Sequence, residues 1–272
     1  MTLKENIEKE HEQDLRRLQK FRLLDDDFMT KCFENDTACV ELVLQIVLNK
    51  EDLKVEDVRT QVFVENLIKR SVRLDVLATD KDGKKYNIEI QRADKGAGVK
   101  RARYNSSMMD ANLLKKGEDF AELPETYVIF ITENDVMKKG LPLYSVERVI
   151  HETGEAFGDG THILFVNGSY RSETPLGKLM HDFSCTQPSQ MHYKVLADRA
   201  RYFKESKEGI AIMCKAMEDM RNQALEEGIK QGKLDVAFRM VKKGDFSDEE
   251  IAELSGLSIE EIKKLSTGET IE

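Results

Sequence analysis

The segment Arg73–Gln91 constrains the fold more than any other part of this chain. Apolar residues fall on alternate positions: Val72, Leu74, Val76 and Ala78, then Tyr86, Ile88 and Ile90. The positions between them carry Arg73, Asp75, Leu77 and Thr79, then Asn87, Glu89 and Gln91. A period of two marks a half-buried strand, so the segment reads as a β-hairpin with an apolar face and a carboxylate face. The turn sets the register. A two-residue Asp82-Gly83 turn pairs Lys81 with Lys84 and sets Asp75 beside Ile90, which points the two apolar sets to opposite sides. A three-residue loop, Lys81-Asp82-Gly83, with Gly83 left-handed in a G1 bulge, pairs Asp80 with Lys84 instead. Leu74 then opposes Ile90, Asp75 opposes Glu89, and one face is wholly apolar, so burial selects this register.

That register brings two carboxylates side by side at a cross-strand Cβ separation of about 5 Å. Like charges so close repel unless something positive lies between them. A divalent metal answers this, and Mg²⁺ prefers one or two carboxylates with waters and substrate phosphate. The other reading is a solvated hairpin face. Asp-x13-Glu-x-Gln by itself is common enough that the pattern alone favours that reading.

At 272 residues and 40% hydrophobic, the chain suits one large domain or two small ones with a real core. Met1–Gln19 is charged and polar, unlike a signal peptide, and no apolar run approaches the roughly 18–20 residues of a membrane span. Cys32, Cys39, Cys185 and Cys214 are scattered, which reads as reduced thiols in a cytoplasmic protein. His11, His151, His162, His181 and His192 form no HExxH and no Cys/His cluster in the sequence, so a zinc site is not expected. Walker A, G-x-G-x-x-G and G-x-S-x-G sequences are absent. The net charge of −9 argues against a protein that coats nucleic acid non-specifically, but it leaves room for a nucleic-acid enzyme, where charge distribution decides.

Along the chain, residues 1–20 read as a charged helix and Leu24–Leu48 as one strong helix stopped by Asn49. A short strand, Val58–Val64, precedes the hairpin. Gly96–Gly98 interrupts, Val99–Lys116 reads as a helix ending at Gly117, and Thr126–Thr132 as a buried strand. The order helix, strand, strand, strand, helix, strand gives an α/β class with a mixed sheet. Beyond it, His162–Val166 reads as a strand, Pro175–Phe183 as a short helix, and Tyr193–Lys243 as almost entirely helical. The tail, Phe246–Leu265, resembles a helix-turn-helix joined by Ser255–Ser258. Glu260 and Glu261 at the start of its second helix would repel phosphate, so a packing or protein-contact module is the better reading.

The hairpin and its surroundings resemble the PD-(D/E)XK nuclease family transposases of the recombination-promoting type. Asp27-Phe28, Val43–Asn49, Arg101–Tyr104, Leu114–Phe120, Val128–Ile131, Pro175–Gly177 and Leu179–Phe183 carry the resemblance, in order, across roughly Leu24 to Lys243. It implies a restriction-endonuclease-like αβββαβ core over residues 21–135. Flanking it would be a charged segment 1–20, an extension 136–243, mostly helical after 193, and a helix-turn-helix-like tail 244–272. It implies Asp75 and Glu89 as catalytic metal ligands with the Ile90 carbonyl, and Gln91 where the motif commonly has lysine. Mg²⁺ would polarise the phosphodiester and help deprotonate water, with Mn²⁺ as a substitute. The implied reaction is cleavage of double-stranded DNA by an endonuclease, easiest for a homodimer presenting two sites. The alternative is an inactive relative that binds DNA or protein. A third reading is a scaffold whose 193–243 helices drive oligomerisation.

Gln91 can hydrogen-bond but cannot neutralise charge, so Arg101 or Arg103 is expected to supply it. Both lie in the basic stretch Arg92, Lys95, Lys100, Arg101, Arg103, Lys115 and Lys116, with only Asp94 and Asp110 against it. A DNA backbone running there would meet Arg101, Arg103 and Tyr104, although Tyr104 could equally pack on the sheet. Asp27 is a candidate distal carboxylate, but its Asp25-Asp26-Asp27 run also suits a helix start, which is the favoured reading.

Overall fold

The computed structural model describes residues 3–66, 70–92 and 97–267. The chain divides into two compact units, Met1–Met213 and Cys214–Glu272.

The first unit is built on a mixed sheet of six strands. They are β1 (Val55–Val64), β2 (Val72–Asp80), β3 (Lys85–Gln91), β4 (Thr126–Thr132), β5 (Leu143–Val146) and β6 (Thr161–Asn167), in the order β1-β2-β3-β4-β6-β5. β1–β2, β2–β3 and β5–β6 are antiparallel, while β3–β4 and β4–β6 are parallel. From Thr79–Lys85 to Val76–Ile88 the hairpin register is the one that apolar burial selects; beyond it the expected ladder pairs Asp75–Glu89 and Leu74–Ile90 are absent, and Leu74 joins the core under α4. Val76 pairs with Ile88 and Thr79 with Lys85, the Asp80 N–H donates to the Lys84 carbonyl at 3.2 Å, and the Gly83 N–H donates to Asp80 at 3.0 Å. Gly83 has φ +81°, which a Cβ would disfavour. The Asp80 carboxylate locks the loop by accepting the N–H groups of Asp82 and Lys84.

The helices of this unit are α1 (Leu3–Lys20), α2 (Asp26–Phe33), α3 (Thr37–Leu48), α4 (Val99–Leu113), α5 (Pro175–Ser184) and α6 (Lys194–Glu205). Val76, Ala78, Tyr86, Ile88 and Ile90 are buried, and α2 and α3 pack on β1 and β2. α4 covers the face of Leu77, Val128, Phe130 and Phe165 with Ala102, Met108 and Met109. The hairpin is therefore buried on both faces, which corrects the half-buried reading: Asp75 is 7% exposed, and Asn87 and Glu89 are 0%. Their polarity had suggested water, but α4 supplies the cover.

Leu24–Leu48 is two helices rather than one. Asn35 adopts φ 55°, and the Asp36 side chain caps α3 by accepting the Cys39 N–H at 2.9 Å. Asn49 ends α3 in the left-handed region, as its position suggested. α4 stops three residues short of Lys116, and Gly117 instead takes φ +94° in a turn where Glu118 accepts the Lys115 N–H. The helical run after Tyr193 breaks at Ser206, whose hydroxyl accepts the Gly209 N–H and opens α7 (Lys207–Lys243). β5 had no counterpart in the pattern, being a short edge strand whose residues are all partly or fully exposed. The whole is a restriction-endonuclease-like α/β arrangement with a helical C-terminal part.

In the second unit, α8 (Asp248–Ser255) and α9 (Ile259–Thr267) pack on the end of α7 through Ala237, Ile251 and Ile262. Ser247 and Glu250 form a capping box, and Gly256 turns the chain at φ 68°. No helix among the described residues is long and apolar enough to cross a membrane.

Candidate metal and nucleic-acid site

Asp75 stands where the sheet ladder fails on both sides. Towards β3, regular pairing ends at Val76–Ile88. Towards β1, Thr60 pairs with Val76 and Val62 with Leu74, so Gln61 opposes Asp75, and Gln61 has φ 53°. A positive φ in a non-glycine strand residue is a strained conformation that the surroundings must hold. Here it sends the Gln61 amide to the Thr30 hydroxyl at 3.1 Å and the Asp26 carboxylate at 3.4 Å.

The gap this leaves is filled by carboxylates. Asp75 Oδ2 accepts the Ile90 N–H at 3.0 Å, and Glu89 Oε1 accepts the Asp75 N–H at 3.4 Å. In an extended strand one residue's N–H and C=O point to the same side. The Ile90 carbonyl therefore points towards Asp75, beyond the end of the ladder. Asp75 and Glu89 thus converge beside the Ile90 backbone, while Gln91 sits half-buried at the end of β3, in register with Thr132.

Burial and mutual repulsion dominate the electrostatics. Burial first, then Glu89 and Asp26, push the Asp75 carboxyl up to about 8, against the pull of the Ile90 N–H and Arg101. Burial also raises Glu89, with Arg101 opposing it. Arg101, in the first turn of α4, reaches Glu89 Oε2 at 2.8 Å and lies over the Phe130 ring at 5.8 Å. Among the described residues one guanidinium, that of Arg101, faces the two buried carboxylates, so this donor set is short of positive charge. Two oxygen-donor side chains plus a carbonyl, under-neutralised and at a break in the ladder, fit a hard divalent cation such as Mg²⁺ or Mn²⁺.

The structure does not bring the other expected residues equally close. Arg103 is two residues beyond Arg101, about 200° round the helix. It is exposed, and no hydrogen bond or ion pair among the described residues links it to the carboxylates. Tyr104 packs at the edge of the α4 core and donates its hydroxyl proton to the Arg70 carbonyl, fastening the helix to the β1–β2 connection. Arg92 is engaged by Asp25 at 3.0 Å. Lys95 and Asp94 lie outside the described residues.

Asp26, rather than Asp27, is the third carboxylate. Asp26 acts on Asp75 and Glu89 and is itself raised by burial and by Asp27. Asp27 is raised by burial and by Asp25 and faces Arg17. Helical phase could have shown this, because Asp26 shares a stripe with the buried Met29, Thr30 and Phe33, whereas Asp27 shares one with Lys31 and Glu34. Gln61 and Arg73, which lowers Asp26, were also missed. So was Asn87, which favours the ionised form of Glu89 yet makes no hydrogen bond of normal geometry.

No curated protein and no solved structure matches the chain. The family model for PD-(D/E)XK nuclease family transposases matches residues 28–170, just over half of the 272. That span begins on α2 and includes Asp75, Glu89, Ile90, Gln91 and Arg101. With the fold, the match places this chain in the family: it belongs to the PD-(D/E)XK nuclease family transposases.

Proposed function

We propose that the protein is a Mg²⁺-dependent DNA endonuclease that hydrolyses phosphodiester bonds in double-stranded DNA, with Mn²⁺ able to replace Mg²⁺. The observation that carries this reading is the pair of buried carboxylates, Asp75 and Glu89, beside the Ile90 carbonyl at a break in the ladder. These three groups would hold the cation. When bound, it supplies positive charge to the phosphoryl oxygens and lowers the pKa of the attacking water. Gln91 orients that water or a phosphate oxygen by hydrogen bonding. Arg101 supplies the side-chain charge that Gln91 lacks, and with Arg73 it sets a positive edge for the DNA backbone. Asp26, on the rim, is placed to accept a proton or to orient a water.

Nuclease action within a transposase family points to DNA recombination in the cytoplasm, and a double-strand cut suits a homodimer. A second reading is an inactive relative that binds DNA or protein. The ion pair of Arg101 with Glu89 Oε2 favours it, because a ligand oxygen is already engaged.

The test is cleavage of supercoiled plasmid in Mg²⁺, beside EDTA and Asp75→Asn controls. Nicking or linearisation that needs both Mg²⁺ and Asp75 supports the enzyme. Mg²⁺-independent cleavage, or cleavage that survives Asp75→Asn, rejects this site. Salt-sensitive DNA binding without cleavage in Mg²⁺ or Mn²⁺ favours the second reading.

A further inference from the structure

A second group of metal-ligand side chains forms at the C-terminal end of α5, outside the residues matched by the family model. His181, Asp182 and Cys185 present ligand atoms that all lie within 4.8 Å of one another. Sequence spacing gave no hint of this, because His181-x3-Cys185-x6-His192 is no common zinc pattern. The fold assembles it. Asp182, 0% exposed, accepts the backbone N–H groups of His192 and Tyr193, each at 2.8 Å. This clamp folds the 185–193 loop back so that the His192 ring lies 4.7 Å from that of His181. The expectation of no Cys/His cluster is therefore corrected: His181 and Cys185 meet one helical turn apart at the end of α5, and the buried Asp182 brings His192 beside His181 by closing a loop.

From these contacts the geometry points to a zinc-class divalent metal site made by His181, Cys185 and Asp182, with the His192 ring packed beside it. The distances match that chemistry. Tetrahedral ligation, with Zn–S about 2.3 Å and Zn–N or Zn–O about 2.0 Å, sets S···N edges near 3.6 Å and N···O edges near 3.3 Å. The His181 Nδ1 to Cys185 Sγ distance is 3.5 Å, and His181 Nδ1 to Asp182 Oδ1 is 3.2 Å. Each carboxylate oxygen has two lone pairs, so Asp182 can ligate while it keeps its backbone N–H donors. Those donors would orient it as outer-shell bonds orient metal-binding carboxylates. A mixed N, S and O set suits zinc rather than Mg²⁺. The negative end of the α5 dipole adds to the attraction, and His181, with its side chain 37% exposed, gives an entry path.

Two other readings fit less well. In a nucleophilic Cys-His-Asp triad the imidazole uses one nitrogen for the thiol and the other for the carboxylate, but here Nδ1 is the nearer to both. A purely structural hydrogen-bond cluster accounts for Asp182 but leaves the convergence of Cys185 and His192 on His181 without a purpose. The bound metal would fasten the 185–193 loop to α5.

The test uses the full chain, stripped of metal and titrated with Co²⁺ as the spectroscopic probe. The site predicts a thiolate-to-cobalt charge-transfer band and tetrahedral d–d absorption that report one Co²⁺ per chain, apart from any Co²⁺ held at Asp75 and Glu89, both displaced by Zn²⁺. Asp75→Asn should leave the bands unchanged, which separates this site from the nuclease site. Cys185→Ser should remove the charge-transfer band, and His181→Gln should weaken Co²⁺ binding at least tenfold. Zn²⁺ should raise the melting temperature of the unsubstituted protein but not of Cys185→Ser. Absence of a charge-transfer band in the unsubstituted protein would overturn the proposal, as would a band that persists in Cys185→Ser.

Discussion

Replacing Asp75 by asparagine removes a charge but keeps the shape of the side chain, and the effect on stability has a definite sign. In metal-free protein the Asp75 carboxyl is pushed up to about 8, first by burial and then by Glu89. In the unfolded chain it titrates near about 3.9. Between those values the folded protein holds a proton that the unfolded chain has released. The stabilising contribution is therefore complete below the unfolded value and is lost as pH rises through the folded one. The limiting slope is about 1.4 kcal/mol per pH unit, so the loss reaches about 1.5 kcal/mol near pH 5 and at most about 5 kcal/mol near pH 8. The upper figure is a bound, because Glu89 and Arg101 share the same field. Asp75→Asn abolishes this titration, still offers an oxygen to the Ile90 N–H and removes the charge that repels Glu89. In EDTA it should exceed the wild type in stability, by a margin that widens with pH. Urea titrations followed by circular dichroism at about pH 5 and about pH 8 read that margin directly. A margin that does not change with pH, or a wild type that is the more stable near pH 8, would refute the argument. Adding Mg²⁺ should close the gap by stabilising only the wild type, while the variant stays inactive.

Three further outcomes follow from other contacts. Arg101→Gln removes the cation beside the fully buried Glu89 and should cost roughly 1 kcal/mol of metal-free stability, modest because Arg101 is largely exposed; Arg103→Gln should stay within about 0.5 kcal/mol, both read by urea denaturation. Lys204, 2% exposed, donates to the carbonyls of Gln19, Phe21 and Thr186, so Lys204→Met should cost about 2–4 kcal/mol and lower the calorimetric melting temperature. A Cβ at Gly177 would collide with the backbone and hydroxyl of Ser172, so Gly177→Ala should cost about 1–3 kcal/mol by urea denaturation, whereas Gly228→Ala, with nothing within 4 Å of the added Cβ, should not destabilise.

The resemblance and the hairpin pattern together made the nuclease core legible, and the physical reasons differ. Local rules, namely alternation of period two, a left-handed Gly83 and the cost of splitting apolar residues between faces, brought Asp75 near Glu89, although the ladder stops one residue short of pairing them. Asn49 as a helix stop and Thr126–Thr132 as a buried strand rest on the same kind of information, since backbone conformation and hydrophobic runs are encoded within a few residues. Leu24–Leu48 failed as one helix because Asn35 and Asp36 can sit in a helix or cap one, and only packing of two short helices decides. Tertiary structure alone determined what covers the carboxylates. α4 comes down on their face, which makes the site buried and its charges costly. It also chose Arg101 over Arg103 and Asp26 over Asp27, because helical phase relative to a distant sheet is a property of packing. The same holds for Gln61, which lies opposite Asp75 only through the pairing of β1 with β2, and for His192, which meets His181 only because Asp182 clamps a loop. Composition and spacing list the groups available, whereas distance, burial and shared charge exist only after the chain has closed on itself.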